Sequence, residues 1–276
     1  MTDNPTSARG RSGPAGIDTA VPHSARIWNY WLGGKDWYAV DKRVGDAYAG
    51  LFPGIRDIAR SSREFLARAV RYLAGEARIR QFLDVGTGLP TVENTHEVAQ
   101  REAPDARIVY VDNDSLVLAH AKALLTSTPQ GITDYVDADL RDPERIVRQA
   151  ARTLDFTQPI ALMLMGVLGH ITSDDEAQSI VDRLVDALPP GSYLVQYDGT
   201  NTDETFAAAQ RDYDNTGADP YRLRSPEQIA RFFTGLDLLG PGVVPVPQWQ
   251  PGPGPFETIR VDAYCGVARK PAPPIR

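Results

Sequence analysis

The sequence predicts an α/β fold, a mostly parallel sheet with helices on both faces, preceded by a helical segment. Three observations carry that expectation. From Ile79 onward, short apolar runs alternate with longer amphipathic stretches, the pattern of parallel strands joined by crossover helices. Helix-start signals separate those runs. One run, Phe82-Leu83-Asp84-Val85, passes directly into Gly86-Thr87-Gly88, a buried strand opening into a turn at the sheet edge where ligands bind in such folds.

In chain order, residues 1–22 are rich in Gly, Ser, Pro, Thr and Asp with little to bury, and read as a disordered tail. Residues 23–75 form a helical lid region that holds Trp28, Trp31 and Trp37, three of the four tryptophans. Ser24 is expected to cap a first helix and Gly33-Gly34 to end it. Asp41 to Leu51 reads as a second helix. Ser61 or Ser62 starts a third, with Phe65, Leu66, Ala69, Val70 and Leu73 on one face. Two readings of this leader are compatible: helices packed on the main domain, or a cover over a ligand with aromatic walls and the polar tips of Arg26, Asn29, Tyr30 and Lys35.

Residues 76–276 form the Rossmann-like domain. Its strands are expected at 80–85, 107–112, 133–137, 160–165 and 192–197, with a final pair at 238–244 and 262–268 that includes Cys265. Asp142-Pro143-Glu144, Ser173-Asp174-Asp175-Glu176 and Ser225-Pro226-Glu227-Gln228 are helix starts, each cap contributing about 1 kcal/mol. Residues 245–255, dense in Pro and Gly around Trp249, read as an ordered surface loop.

Composition narrows the function. A net charge of -7 argues against a broad nucleic-acid footprint, and a single cysteine excludes an internal disulfide and a multi-thiolate zinc site. The four histidines, His23, His96, His120 and His170, show no paired ligand spacing, so no metal is expected. No apolar run approaches the ~20 residues of a bilayer span, and no signal-peptide core is present. The expected compartment is the cytoplasm, without membrane partners.

Electrostatics then bears on the ligand. A carboxylate at Asp84 repels a pyrophosphate and attracts an ammonium group, each by about 4 kcal/mol at 4 Å and an effective dielectric of about 20. Thr91 stands where a dinucleotide fingerprint wants Gly or Ala, and no Gly-Lys-Ser/Thr ending follows. Both Asp84 and Thr91 therefore disfavour a nicotinamide oxidoreductase. The second strand ends in Asp112-Asn113-Asp114, and Asp112, 24 residues after Gly88, fits an acid that accepts two ribose hydroxyls. Asp114 is free to cap the next helix.

Asp84-x-Gly86-x-Gly88 after an apolar strand resembles the first motif of class I S-adenosylmethionine-dependent methyltransferases, although Pro90 replaces a third glycine found in many members. Arg26, Tyr30, Leu32, Gly33, Gly34, Lys35 and Asp36 match a more specific pattern. They resemble the N-terminal Leu-Gly-Gly-Lys-Asp signature of one bacterial branch of methyltransferases, long of unknown function. The resemblance spans nearly the whole chain after the tail. It implies a seven-stranded sheet of order 3-2-1-4-5-7-6 with the last strand antiparallel.

S-adenosyl-L-methionine is the implied cofactor. Its implied contacts are Asp84, Gly86, Thr87, Gly88, Asp112, Asn113, Asp139, Leu140, Met165, Gly166 and Val167, with Arg26, Tyr30, Gly33 and Lys35 from the lid. Asp139 and Leu140 occupy the adenine-recognition position, while helix capping accounts for Asp142. If the methyl acceptor arrives protonated, His170, Tyr197 and Asp198 are the nearest bases, although a structural hydrogen bond also explains His170. Neither an Asn/Asp-Pro-Pro-Tyr motif nor an accessible catalytic cysteine is present, which favours a small-molecule acceptor over nucleic acid. A donor-binding sensor that performs no transfer is the alternative. The oligomeric state is open.

Overall fold

Every position of β1 (Gln81–Val85) is buried, as expected of a strand covered by helices on both faces. It lies parallel to β2 (Arg107–Asp112) on one side and β4 (Ala161–Met165) on the other. β3 (Ile132–Asp137) continues the sheet beyond β2, and β5 (Tyr193–Gly199) continues it beyond β4, both parallel. β8 (Ala263–Arg269) inserts antiparallel against β5 and also pairs with two short strands, β6 (Asp237–Leu238) and β7 (Val244–Pro245). This computed structural model describes residues 18–91, 93–124, 126–251 and 259–272.

The strand order, β3-β2-β1-β4-β5-β8-β6 with β7 also on β8, is the expected topology with its sixth strand split in two. The split falls at Gly240-Pro241-Gly242, where Gly242 N–H turns back to the Leu239 carbonyl at 2.8 Å. Proline has no N–H to extend a ladder. The intervening helices are α4 (Thr95–Glu102), α5 (Ser115–Leu124), α6 (Pro143–Ala150), α7 (Asp174–Asp186), α8 (Glu204–Asp214) and α9 (Pro226–Arg231). Asp142, Ser173 and Ser225 cap α6, α7 and α9 through their side chains.

The leader folds as α1 (Ser24–Trp31), α2 (Ala39–Leu51) and α3 (Ile55–Gly75). α3 starts at Ile55, not at Ser61 or Ser62. Ile55 and Ile58 extend the apolar face of Phe65, Leu66, Ala69, Val70 and Leu73, and all seven join one core with Phe82, Ile108 and Met163 of the sheet. Ser62 sits inside the helix, its hydroxyl donating to the Ala59 carbonyl at 2.8 Å. α1 is capped by His23 instead of Ser24, Nδ1 accepting from Ala25 N–H at 3.3 Å.

Trp249, expected on a surface loop, is fully buried, edge-on to Phe65 and Tyr72 with ring centroids 5.5 and 6.0 Å apart. Arg68 of α3 holds that segment by donating to the Val246 and Trp249 carbonyls at 2.9 and 3.0 Å. Part of the loop, residues 252–258, lies outside the described residues, as do residues 1–17 of the expected tail. Of the remaining tail residues, Asp18 and Val21 supply carbonyls to Arg26. Among the described residues no helix is long and apolar enough to cross a membrane, and no cluster of three or more His, Cys, Asp or Glu is placed to hold a metal ion.

Candidate functional site

A cavity of about 490 Å³ opens at the carboxyl ends of β1, β2, β4 and β5, within the size range of about 300–1,000 Å³ usual for small-ligand sites. The turn after β1 forms its floor. Gly86 and Gly88 both have positive φ, +73° and +65°, and a Cβ on Gly86 would overlap the Val167 side chain. Glycine is needed at both for conformation, and at Gly86 also for space. The turn's amides are already engaged. Gly86 and Thr87 donate to the Val111 carbonyl at 2.8 and 3.3 Å, and Gly88 donates to Asp112 Oδ2 at 2.9 Å. A turn so bonded shapes a surface but offers no nest of free N–H groups to a phosphate chain.

Two carboxylates flank this turn, Asp84 buried and Asp112 half-buried. Asp84 is 3% exposed and accepts the Thr95 hydroxyl at 2.6 Å. Burial pushes its carboxyl up to about 6, with Thr95 and the Arg63 charge pulling the other way. Asp112 also lies above the usual carboxylate range because of burial, against the amides of Asp114 and Gly88 that favour its charge. Those amides hold one lone pair of each oxygen and leave the other free to accept. A neutral polar ligand with two hydroxyls and a cationic head fits this pair, and a polyanion does not.

Asn113, Asp139, Leu140, Met165, Gly166, Val167 and Thr87 line the same cavity. Asp139 also accepts the Arg141 amide at 2.8 Å. His170 lies in the lining, Nδ1 meeting the Pro220 carbonyl at 3.1 Å. A carbonyl only accepts, so Nδ1 carries the proton and Nε2 is the acceptor of the neutral ring. Burial lowers the pKa of His170 below its ordinary value, which keeps that ring neutral at pH 7.

Tyr197 lines the cavity too, but burial pushes its hydroxyl up to about 12, so at neutral pH it donates. Asp198 does not reach the lining. It is sealed beneath, accepting the Tyr221 hydroxyl at 2.8 Å and the Gln196 amide at 2.8 Å. Burial pushes its carboxyl up to about 6, opposed first by Arg224. It can influence the cavity through Tyr221, which it accepts from, and through its charge beside Tyr197, both of which line it.

The four lid residues Arg26, Tyr30, Gly33 and Lys35 are not brought to the cavity. Arg26 is buried in an ion pair with Asp41, Nε to Oδ2 at 3.1 Å. Tyr30 donates to Asp46 at 2.5 Å. Gly33 and Lys35 are exposed at the end of α1. Other leader side chains take their place: Trp28, Asn29 and Trp31 of α1, Tyr48 of α2, and Ile58 and Arg63 of α3.

Sequence reasoning missed Arg63 as a site residue. Its guanidinium donates to the Glu93 carbonyl at 3.1 Å and lies close enough to Asp84 to influence its charge. The only available signal was a lone arginine on the apolar face of α3.

A mostly parallel sheet ending in an antiparallel hairpin, with acids at the ends of its first two strands, defines a Rossmann-like α/β fold of the methyltransferase type. The chain belongs to the S-adenosyl methyltransferase family, whose model matches residues 11–271. A solved DUF574-family protein from Streptomyces avermitilis MA-4680 is 44% identical, with a TM-score of 0.88 over 92% of this chain and 99% of that one. A provisionally assigned methyltransferase from Thermobifida fusca YX is 40% identical, with a TM-score of 0.86 over 94% and 98% of the two chains. An O-methyltransferase family 2 protein from Planctomyces limnophilus shares the fold at 15% identity and a TM-score of 0.50, over 88% of this chain and 65% of that one. No curated protein matches the chain. The family's cofactor is S-adenosyl-L-methionine.

Proposed function

We propose that this cavity holds the methyl donor and passes its methyl group to a small-molecule acceptor. The observation that carries the reading is the pair of carboxylates, Asp84 buried and Asp112 half-buried, on either side of a turn whose amides are already bonded. Asp84 faces the ammonium of the amino-acid head, with Arg63 beside it as the complement to the carboxylate of the same head. Asp112 accepts the ribose hydroxyls. Asp139 and Leu140 flank the adenine, and Met165, Gly166 and Val167 pack along the donor.

S-adenosylmethionine supplies an electrophilic methyl group on a sulfonium. The chain's contribution is to hold an acceptor in line with that group and to exclude water, a positioning effect that can supply several kcal/mol. α1, α2 and α3 act as the lid region, residues 23–75, on the main domain of residues 76–276. Their match at Leu32-Gly33-Gly34-Lys35-Asp36 is the ground for placing the chain in the bacterial branch with that signature. His170 Nε2 is the base where one is needed. Tyr197 donates a hydrogen bond to the acceptor, and Asp198 acts as a positioning residue through Tyr221. A cytoplasmic location follows from this reading, and the negative net charge favours a small acceptor over nucleic acid.

Calorimetric titration with S-adenosylmethionine, S-adenosylhomocysteine and NADH tests the reading. The expected result is one site for each sulfur ligand and none for NADH. Tight NADH binding without a response to either sulfur ligand would overturn it. Binding with no labelled-methyl transfer across small-molecule extracts would instead favour the sensor alternative.

A further inference from the structure

Beyond the carboxylate-lined part, the cavity continues between the leader helices and α8, and the chemistry of its walls changes. Trp28 and Trp31 of α1, Tyr48 of α2, Ile55, Ile58 and Leu66 of α3, and Phe206 and Tyr213 of α8 line this part. Among the described side chains that line the cavity from these four helices, Arg63 alone carries a full charge, and it stands beside Asp84. The ring walls brace one another. Tyr48 lies edge-on to Trp31 and Tyr213, with centroids 5.0 and 5.8 Å apart, and Phe206 stacks on Phe52 at 4.6 Å.

The polar groups here are also neutral. Tyr48 donates to Gln210 Oε1 at 2.9 Å, and burial raises the Tyr48 and Tyr213 hydroxyls far above the range in which they ionise. A charged group brought against the α1, α2 and α8 walls loses its hydration and meets no side chain of opposite charge among those they place in the lining. A planar ring system gains edge and face contacts with the walls.

We infer that the methyl acceptor is a neutral, planar, aromatic small molecule bearing a hydroxyl, seated in the chamber between α1, α2, α3 and α8. This rests on the methyltransferase reading above. The ring packs against the wall that Trp31, Tyr48 and Phe206 form together, and the hydroxyl points toward the strand ends, where Tyr197 and His170 also line the cavity. Transfer forms the acceptor's O–CH3 bond as the donor's C–S bond breaks. The bonding pair stays on sulfur, and the hydroxyl proton passes to His170. Phosphorylated, carboxylated and nucleic-acid acceptors are disfavoured, because α1, α2 and α8 place no charged side chain among the described residues of the lining and Arg63 is committed to the donor's head.

The test uses the whole chain, with and without saturating S-adenosylhomocysteine, and a matched probe pair of the same shape, 2-naphthol and 2-naphthoate. Calorimetry or quenching of tryptophan fluorescence reports affinity. The expected result is that 2-naphthol binds at least tenfold more tightly than 2-naphthoate. Phe206→Leu is expected to weaken 2-naphthol at least fivefold while the affinity for S-adenosylhomocysteine is unchanged. Equal affinities, a preference for the carboxylate, or no binding of 2-naphthol would overturn the inference. The wild-type probe pair decides it even if Phe206→Leu fails to fold. Absence of S-adenosylhomocysteine binding would refute the donor reading alone, because the same pair titrated without it still judges the chamber.

Discussion

Two glycine-containing turns follow short elements in this chain. Gly86-Thr87-Gly88 ends β1 and lines the cavity; Gly33-Gly34 ends α1 and does not. The first resembles a short, common motif, and the second the longer signature on which the proposed bacterial branch rests. Their environments explain the difference. The turn after β1 sits at the carboxyl edge of the sheet between two carboxylates, so its backbone shapes the cavity. The turn after α1 is tied inward: Asn29 Oδ1 accepts the Asp36 amide at 3.1 Å, and the Trp37 indole donates to the Gly34 carbonyl at 2.8 Å. A Cβ on Gly34 would overlap Asn29. The residues of the α1 turn constrain one another without reaching the cavity.

That contrast separates stability from binding, and substitutions should split the same way. Asp41→Ala breaks the buried pair with Arg26 next to the α1 turn, and is expected to lower unfolding free energy in urea by about 3–5 kcal/mol. Affinity of the folded variant for S-adenosylhomocysteine should change by less than about threefold, under 0.7 kcal/mol. A large loss of affinity at constant stability would erase the distinction. Asp84→Asn should show the reverse, weakening S-adenosylmethionine by about 2 kcal/mol, roughly 30-fold, with little loss of stability.

Titration sharpens the comparison further. With the Asp84 carboxyl raised to about 6, the free protein takes up a proton there as the pH falls through that value. The donor's ammonium prefers the carboxylate, so affinity should fall below pH 6, by up to about tenfold per unit. Stability responds with the opposite sign. Between its unfolded value near 4 and about 6, the folded state binds more protons at Asp84 than the unfolded state, so this group's contribution declines as pH rises through that window. Calorimetry and urea unfolding across pH 4–7 check both slopes; Asp84→Asn should flatten the affinity slope and reduce the stability slope, to which Asp198, also raised to about 6, contributes with the same sign. The smallest effect is expected for Lys35→Ala, which should alter affinity and stability by less than about 0.5 kcal/mol each because the side chain is exposed.

The sheet was largely legible because strand ends and helix caps are local signals. Arg107–Asp112 was read to the residue, and Asp142, Ser173 and Ser225 cap the helices they were expected to start. Ser61 and Ser62 misled because serine signals a cap only when an apolar helical face does not already run through it. The cavity's strand-derived floor, from Asp84 to Val167, followed from the topology. Its other wall did not. Arg63 meets Glu93 across 30 residues, Tyr48 meets Gln210 across 162, and Arg68 meets Trp249 across 181. Nothing local in the sequence encodes such pairings, so neither the Trp249 anchor nor the part of α8 in the aromatic wall could be read from it, whereas aromatic walls from the leader were expected and Trp28 and Trp31 do line the cavity.

The most direct test of the central claim is a crystal structure of the chain with S-adenosylhomocysteine. The account predicts adenosine against Asp112 and Asp139, and the amino-acid head between Asp84 and Arg63. Adenosine lodged elsewhere, or a ligand whose amine lies away from Asp84, would contradict it.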